Sequence, residues 1–239
     1  IGGIGMSGIA ELLYKLGFKI SGSDQTESDR TNSLNAIGIK IIIGHNKNNI
    51  HAPDVVVYSS AINKSNPEIQ NAIKLNIPVI RRAEMLAELI KLKKISIAIA
   101  GTHGKTTTAS MLGSILTASS FEPTMVIGGI VNKFQSNSIS GKGNIIVVEA
   151  DEFDRSFLTL QPTIGVITNL DLEHLDCYKN LEDLKDAFTQ FANAVPFYGK
   201  IALGTDNKNS ADIVKNINRP VISFGLNKNA YIRATKLFF

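Results

Sequence analysis

The chain has 239 residues, 44% of them hydrophobic, and 25 Lys and Arg against 21 Asp and Glu leave a formal charge of +4. This is globular composition with a modest basic excess. It holds no dense basic stripe for a nucleic-acid groove and no apolar run near the ~18 residues a membrane span needs. The lone cysteine, Cys177, excludes an internal disulfide framework and fits a reducing, cytoplasmic setting.

The first element is a glycine turn, "IGGIGMSGIAELL", that opens a helix ended by Gly17. The chain meets this turn at once from Ile1 with no strand before it, so residues of a longer chain are expected upstream. Short apolar runs then predict strands at 18–21, 39–43, 54–59 and 77–80, followed by a helix beginning in "RRAEMLAELIKLKK". Further strands are predicted at 94–100, 124–128, 144–150, 163–169, 200–204 and 220–225. Continuous Val/Ile runs between helical stretches imply an α/β fold, with parallel sheet covered by helices on both faces. The pattern changes after "KLKK", which divides the chain into a Rossmann-like domain at 1–92 and a second α/β domain at 93–239.

Gly3, Gly5 and Gly8 fit the G-x-G-x-x-G fingerprint, and Asp24 ends the next predicted strand where an acid meets a ribose hydroxyl. The turn alone leaves three readings open: an NAD site, a site for another nucleoside diphosphate, or a structural turn.

The second turn, "KISIAIAGTHGKTTTASML", is more specific. An apolar strand runs into Gly101, Thr102, His103, Gly104, Lys105, Thr106 and Thr107, and then into a helix. In a P-loop, backbone N–H groups cradle phosphates, the Lys reaches the outer phosphate oxygens and the following hydroxyl binds Mg²⁺. The full G-x-x-x-x-G-K-[ST] form would require glycine where Ile99 stands, so this is a shortened variant. His103 is either packed in the loop or part of its chemistry.

Two acidic segments follow. "NIIVVEADEFDRSF" delivers Glu149 at a strand end with Asp151, Glu152 and Asp154 beyond it. "TIGVITNLDLEHLDCY" delivers Asn169, Asp171, Glu173, His174 and Asp176. Carboxylates at such ends suit Mg²⁺ held by few protein ligands, which makes Thr106, Glu149 and His174 the candidate metal set. Cys177 beside His174 supplies too few ligands for zinc and carries no mark of an activated thiol.

The ordered series "GIGMSGIAE", "GSD", "SSAI", "NPEI", "RRAEMLAEL", "GTHGKTTT", "IGG", "EADEFDRSFL", "HLDCY" and "VPFYGKIAL" resembles the ATP-dependent Mur ligases of peptidoglycan synthesis across nearly the whole chain. The resemblance implies that the first turn holds UDP-N-acetylmuramate through Gly5, Met6, Ser7 and Gly8, with Asp24, Ser59, Ser60 and Asn137 as further substrate contacts. It implies ATP and Mg²⁺ at the second loop, with Lys105, Glu149 and His174 catalytic. The implied reaction phosphorylates the muramoyl carboxylate and lets L-alanine attack the acyl phosphate. Members that add later residues carry a Lys fourteen positions beyond the equivalent His; Phe188 stands there, as expected of alanine-adding members. The family is close to twice this length, so a truncated central domain, an absent C-terminal domain and no ligase activity of this stretch alone are expected. Rival readings are a ligase that recycles a whole peptide, a folate polyglutamate-type ligase, an NAD-dependent dehydrogenase and a non-catalytic nucleotide-binding fragment.

Overall fold

The computed structural model describes residues 1–131, 136–173 and 177–236. Its contacts fall into two units, one of Ile1–Leu86 with Thr124–Gly141, the other of Ala87–Pro123 with Lys142–Phe239. A linear division at 92/93 therefore does not describe the contacts: the segment 124–141 groups with the N-terminal residues.

In the first unit, α1 (Ile4–Lys15) leads to β1 (Ser21–Asp24), α2 (Asp29–Ala36) and β2 (Lys40–Ile43). β3 (Val56–Tyr58), α3 (Pro67–Lys74), β4 (Val79–Arg81) and α4 (Arg82–Ile90) follow, with α4 running past Leu86, where this unit ends. β1 pairs with β2 and β3 with β4, both in parallel. The local reasons are readable. Ser28 caps α2 in a reciprocal box with Thr31, Asn66 caps α3 ahead of Pro67, and Gly17 takes the left-handed φ of +93° that stops α1. Ala10, Leu34 and Ile39 form a core bounded by Ile20 and Ile41. The predicted strand 18–21 is displaced to Ser21–Asp24, since Phe18 is exposed and pairing with β2 decides the register. β6 (Thr124–Val131) and β7 (Ser136–Ile139) form an antiparallel pair packed against α1, a departure from the all-parallel expectation.

The second unit is built on β5 (Ile95–Ala100), which lies between β8 (Ile145–Glu149) and β9 (Ile164–Ile167), both parallel to it. β10 (Lys200–Gly204), β11 (Val221–Gly225) and β12 (Ile232–Arg233) extend the parallel sheet beyond β9. Every residue of β5 from Ser96 to Ala100 is buried, as are Ile145–Val148 of β8, so the sheet is covered on both faces. Ser96 and Thr163 exchange side-chain and backbone hydrogen bonds of 2.8–3.0 Å, continuing the β5–β9 ladder past its register. α5 (Lys105–Ala118) follows β5, and α6 (Leu181–Ala194) buries Leu184, Ala187, Phe188, Phe191 and Ala192. Phe157 anchors this face, its ring 5.1 Å from that of Phe188 and 5.3 Å from that of Phe191. α7 (Lys208–Ile213) is capped by Asn207.

Truncating Phe157 to Ala should cost about 3–5 kcal/mol in denaturant unfolding, as a large buried ring leaves a cavity, whereas exposed Phe153→Ala should cost less than ~0.5. Equal losses would contradict this packing. Asp206 accepts backbone N–H groups of Leu226 and Asn227, which hold its carboxyl below the ordinary range. A depressed folded value means stability present above the unfolded value and lost as pH falls through the folded one. Acid titrations of melting temperature should therefore show a smaller loss below pH ~4 in Asp206→Asn than in the parent.

Candidate active site

The two glycine turns belong to different units, and each builds its own surroundings. In the first, Gly3 is the extended N-cap of α1, with no side-chain cap and no acidic residue in the first turn. Such an uncapped start turns the N–H groups of Gly5 and Met6 toward whatever sits ahead of the helix, the arrangement that favours an anion. Ser7 and Gly8 are buried, and the Ser7 hydroxyl donates to the Ile4 carbonyl at 3.0 Å. A Cβ on Gly5 would lie 2.3 Å from Nη1 of Arg82, so a guanidinium packs onto the bare backbone of the turn. Nothing in "RRAEML" marked Arg82. It arrives because β4 runs into α4 without an intervening loop.

Asp24 ends β1 and accepts the Gly2 N–H at 2.7 Å, which ties the turn to the strand beside it. Ser59 and Ser60 follow the end of β3, half-buried and exposed respectively. Asn137 falls within β7, and its side chain lies outside the described part of the structure. Ser23, His45 and Glu68 form a network that sequence reading passed over. The Ser23 hydroxyl donates to Glu68 Oε2 at 2.6 Å and lies 3.0 Å from His45 Nδ1, joining the ends of β1 and β2 to α3.

The second turn leaves β5 between β8 and β9, where β8 and β9 lie on opposite sides of the first strand. Open α/β sheets bind ligands at this kind of reversal, beyond the carboxyl ends of the strands. Gly101 has φ +132°, and a Cβ there would meet Thr168 Oγ1 at 2.0 Å, so the turn is closed against the end of β9. Asn169 then fixes the loop. Its carbonyl accepts the Thr102 N–H at 3.2 Å, its Oδ1 accepts the His103 N–H at 2.9 Å and its Nδ2 donates to the His103 carbonyl at 3.1 Å. The Thr102 hydroxyl is held by Asp171 backbone, and Thr168 Oγ1 donates to the His103 carbonyl at 2.7 Å. Gly104, at φ +79°, is the N-cap of α5, again with no side-chain cap and no first-turn acid. The N–H groups of Lys105, Thr106 and Thr107 thus open an uncapped helix at the mouth of the loop.

Lys105 folds back over this loop. Its Nζ donates to the Gly101 carbonyl at 2.7 Å and lies 3.3 Å from that of Thr102. It also reaches both Glu152 oxygens, at 2.9 and 2.7 Å. The Glu152 side chain is 1% exposed and that of Lys105 17%, so this is a largely dry ion pair. Burial raises the Glu152 carboxyl above its ordinary range, although the Lys105 ammonium works in the opposite direction. Behind Glu152, the buried Tyr178 hydroxyl donates to its carbonyl at 2.6 Å, and burial pushes that phenol well up. Arg155 lies 4.7 Å from the centre of the Tyr178 ring and pairs with Asp183. The hydrogen bond from Arg155 holds the Asp183 carboxyl below its usual range.

Glu149 ends β8 in register with Ile99, half-buried, with Oε1 shielded from solvent. His103, half-exposed, brings Nε2 to 3.3 Å from Asp171 and 3.6 Å from Glu173. His174 lies outside the described residues. Among the described residues there is no cluster of three or more His, Cys, Asp or Glu side chains able to cage a metal. A Thr106 hydroxyl at the helix start and a Glu149 carboxylate on the adjoining strand are a donor set that fits Mg²⁺ sharing its other positions with phosphates and water. Phe188 is fully buried against Phe157, so its position is part of the core.

Comparison with known proteins places this geometry in a family. Residues 1–94 match the Mur ligase family catalytic domain and residues 99–239 the Mur ligase middle domain. The chain belongs to the Mur ligase family. It is 52% identical over 238 residues to UDP-N-acetylmuramate–L-alanine ligase of Aquifex aeolicus, covering 100% of this chain and 52% of that protein. The corresponding ligase of Syntrophus aciditrophicus is 51% identical, again over 100% of this chain and 50% of that protein. The chain thus spans about half the length of the curated relatives it matches. Among solved structures, the UDP-N-acetylmuramate–alanine ligase of Thermotoga maritima superposes with TM-score 0.82 at 30% identity, over 95% of this chain and 51% of that one. The UDP-N-acetylmuramate:L-alanyl-gamma-D-glutamyl-meso-diaminopimelate ligase of Neisseria meningitides gives TM-score 0.86 at 27% identity, over 94% and 76%.

The two loop glycines should respond differently to alanine. Gly101→Ala combines a disfavoured φ with a clash at Thr168 and should cost on the order of 2–4 kcal/mol in chemical unfolding. Gly104→Ala meets open space and should cost only the left-handed backbone, about 1–2 kcal/mol. Indistinguishable losses would count against the packing of the turn on β9.

Proposed function

We propose that the protein containing this chain joins L-alanine to the carboxylate of UDP-N-acetylmuramate at the expense of ATP, in the cytoplasm, as a step of peptidoglycan synthesis. The observation that carries the reading is the loop at Gly101–Thr107. It has an uncapped helix start, a phosphate-type lysine and a carboxylate-ended strand beside it, in a chain 52% identical to ligases of that name. The N-terminal unit supplies a second anion-type helix start with Arg82 against Gly5, which suits the diphosphate of a UDP-sugar. In this reading the unit of 1–86 with 124–141 binds the UDP-sugar and the unit of 87–123 with 142–239 binds ATP. Gly5, Met6, Ser7, Gly8, Asp24, Ser59, Ser60 and Asn137 serve the former, and Gly101 through Thr107 the latter.

The chemistry follows from the poor electrophilicity of a carboxylate. An oxygen of the muramoyl carboxylate attacks the γ-phosphorus of ATP, the bond to the β–γ bridging oxygen breaks, and ADP leaves. The resulting acyl phosphate has a good leaving group on its carbonyl carbon. The alanine amine attacks that carbon, the amide forms, and phosphate departs as the amine gives up a proton. Attack of one anion on another requires positive charge at the transferring group. Lys105 supplies it, together with the N–H groups at the start of α5. One Mg²⁺ held by Thr106 and Glu149, and a second held by His174 with Glu149, would neutralise phosphate charge when bound.

A second reading, attachment of a preformed peptide to the same sugar nucleotide, is favoured by the likeness to the Neisseria enzyme. The higher identity to the alanine-adding ligases weighs against it. Turnover of the full-length enzyme separates the two, with phosphate release expected with L-alanine and none above background with the tripeptide. Lys105→Met should lower kcat/KM by about 10³-fold or more, as loss of a transition-state charge does, while UDP-N-acetylmuramate still binds. Binding of NADH by the first glycine turn would refute the assignment outright.

A further inference from the structure

Resting on the reading of Gly101–Thr107 as the ATP loop, we propose that Glu152 is a positioning residue for Lys105. It holds the ammonium in the nucleotide-free loop, surrenders part of it to the arriving phosphates, and so sets how tightly ATP binds.

An ammonium has three N–H donors and no acceptor. Those of Lys105 face four oxygens: the carbonyls of Gly101 and Thr102 and both carboxylate oxygens of Glu152. No donor is left over for a phosphate, so binding must displace one of these contacts. The two carbonyls belong to the turn that Asn169 and Thr168 pin in place, and they carry no charge. Glu152 differs in its charge. It offers two oxygens to one ammonium, so one can be given up while the other keeps the buried carboxylate paired. It also cancels the charge that a phosphate seeks.

Glu152 cannot follow the lysine outward. Its side chain is buried, its carbonyl receives the Tyr178 hydroxyl and the Arg155 N–H, and Arg155 is in turn tied to Asp183 and to the Cys177 carbonyl. A fixed carboxylate 2.7 Å from the lysine competes with ATP for the same cation. Glu152→Gln keeps the shape and one acceptor while removing the competing charge. Glu152→Asp keeps the charge.

The test is equilibrium binding of a non-hydrolysable Mg·ATP analogue to the full-length enzyme, measured by calorimetry alongside steady-state kinetics. Glu152→Gln is expected to bind about three- to tenfold more tightly, the range of one weakened charge competition, with KM for ATP falling in parallel and kcat not rising. Glu152→Asp should show no tightening. Unchanged or weaker binding in Glu152→Gln overturns the proposal, as does equal tightening in Glu152→Asp. Lys105→Met separates the premise from the inference. If it binds the analogue like the parent, the ATP-loop reading fails; if it loses binding while Glu152→Gln changes nothing, only the role of Glu152 fails. Should Glu152→Gln not fold, a crystal structure of the parent with the analogue decides. Lys105 bonded to a phosphate oxygen with one Glu152 contact given up supports the proposal, and all four contacts retained overturns it.

Discussion

The larger unit depends on how the chain leaves β5. The strand is buried on both faces and hemmed by parallel neighbours on both sides, so at Ala100 it can continue only outward, through a turn with no room for a side chain. Gly101 meets that condition with a left-sided φ and a backbone packed on Thr168. Once the turn is closed, the helix that follows must start at Gly104 with its N–H groups facing the sheet edge. Glu149 and Asn169 come to flank it because β8 and β9 end there. The loop's chemistry is thus a consequence of strand order.

Within that frame the burial of charge is selective. Glu152 and Lys105 form a nearly dry pair, whereas His103, Asp171 and Glu173 stay wet at the rim. A buried pair adds little to stability relative to apolar packing, and its usual merit is to fix one geometry. Here it fixes a long, rotatable side chain across a loop that would otherwise leave it free. Tyr178, Arg155 and Asp183 form a further layer that holds the carboxylate's backbone, so the position of one ammonium is referred back to helix α6.

Much of this was legible in the sequence, and the failures have physical causes. The buried strands announced themselves through continuous Val/Ile runs, and the phosphate-type loop through its glycines and GKT. β1 is not legible because "SGSD" has no apolar signal; pairing with "KIII" makes it a strand. β7, "SNSI", was missed for the same reason, its strand character coming from its antiparallel partner. Glu152 is one acid among several in the sequence, since nothing local tells which member of "EADEFD" turns inward. Arg82 and the Ser23–His45–Glu68 network depend on contacts between residues far apart in the chain, which no local pattern encodes. Phe188, marked in the sequence only by the lysine it lacks, is a core ring beside Phe157.

Asn169 carries a consequence of its own. With its carbonyl, amide oxygen and amide nitrogen all committed to Thr102 and His103, it sets the outline of the loop. The entropy of ordering that backbone is therefore spent before any ligand arrives, and binding need not bear it. A nucleotide would meet a finished mould in which one lysine side chain has to change its partners.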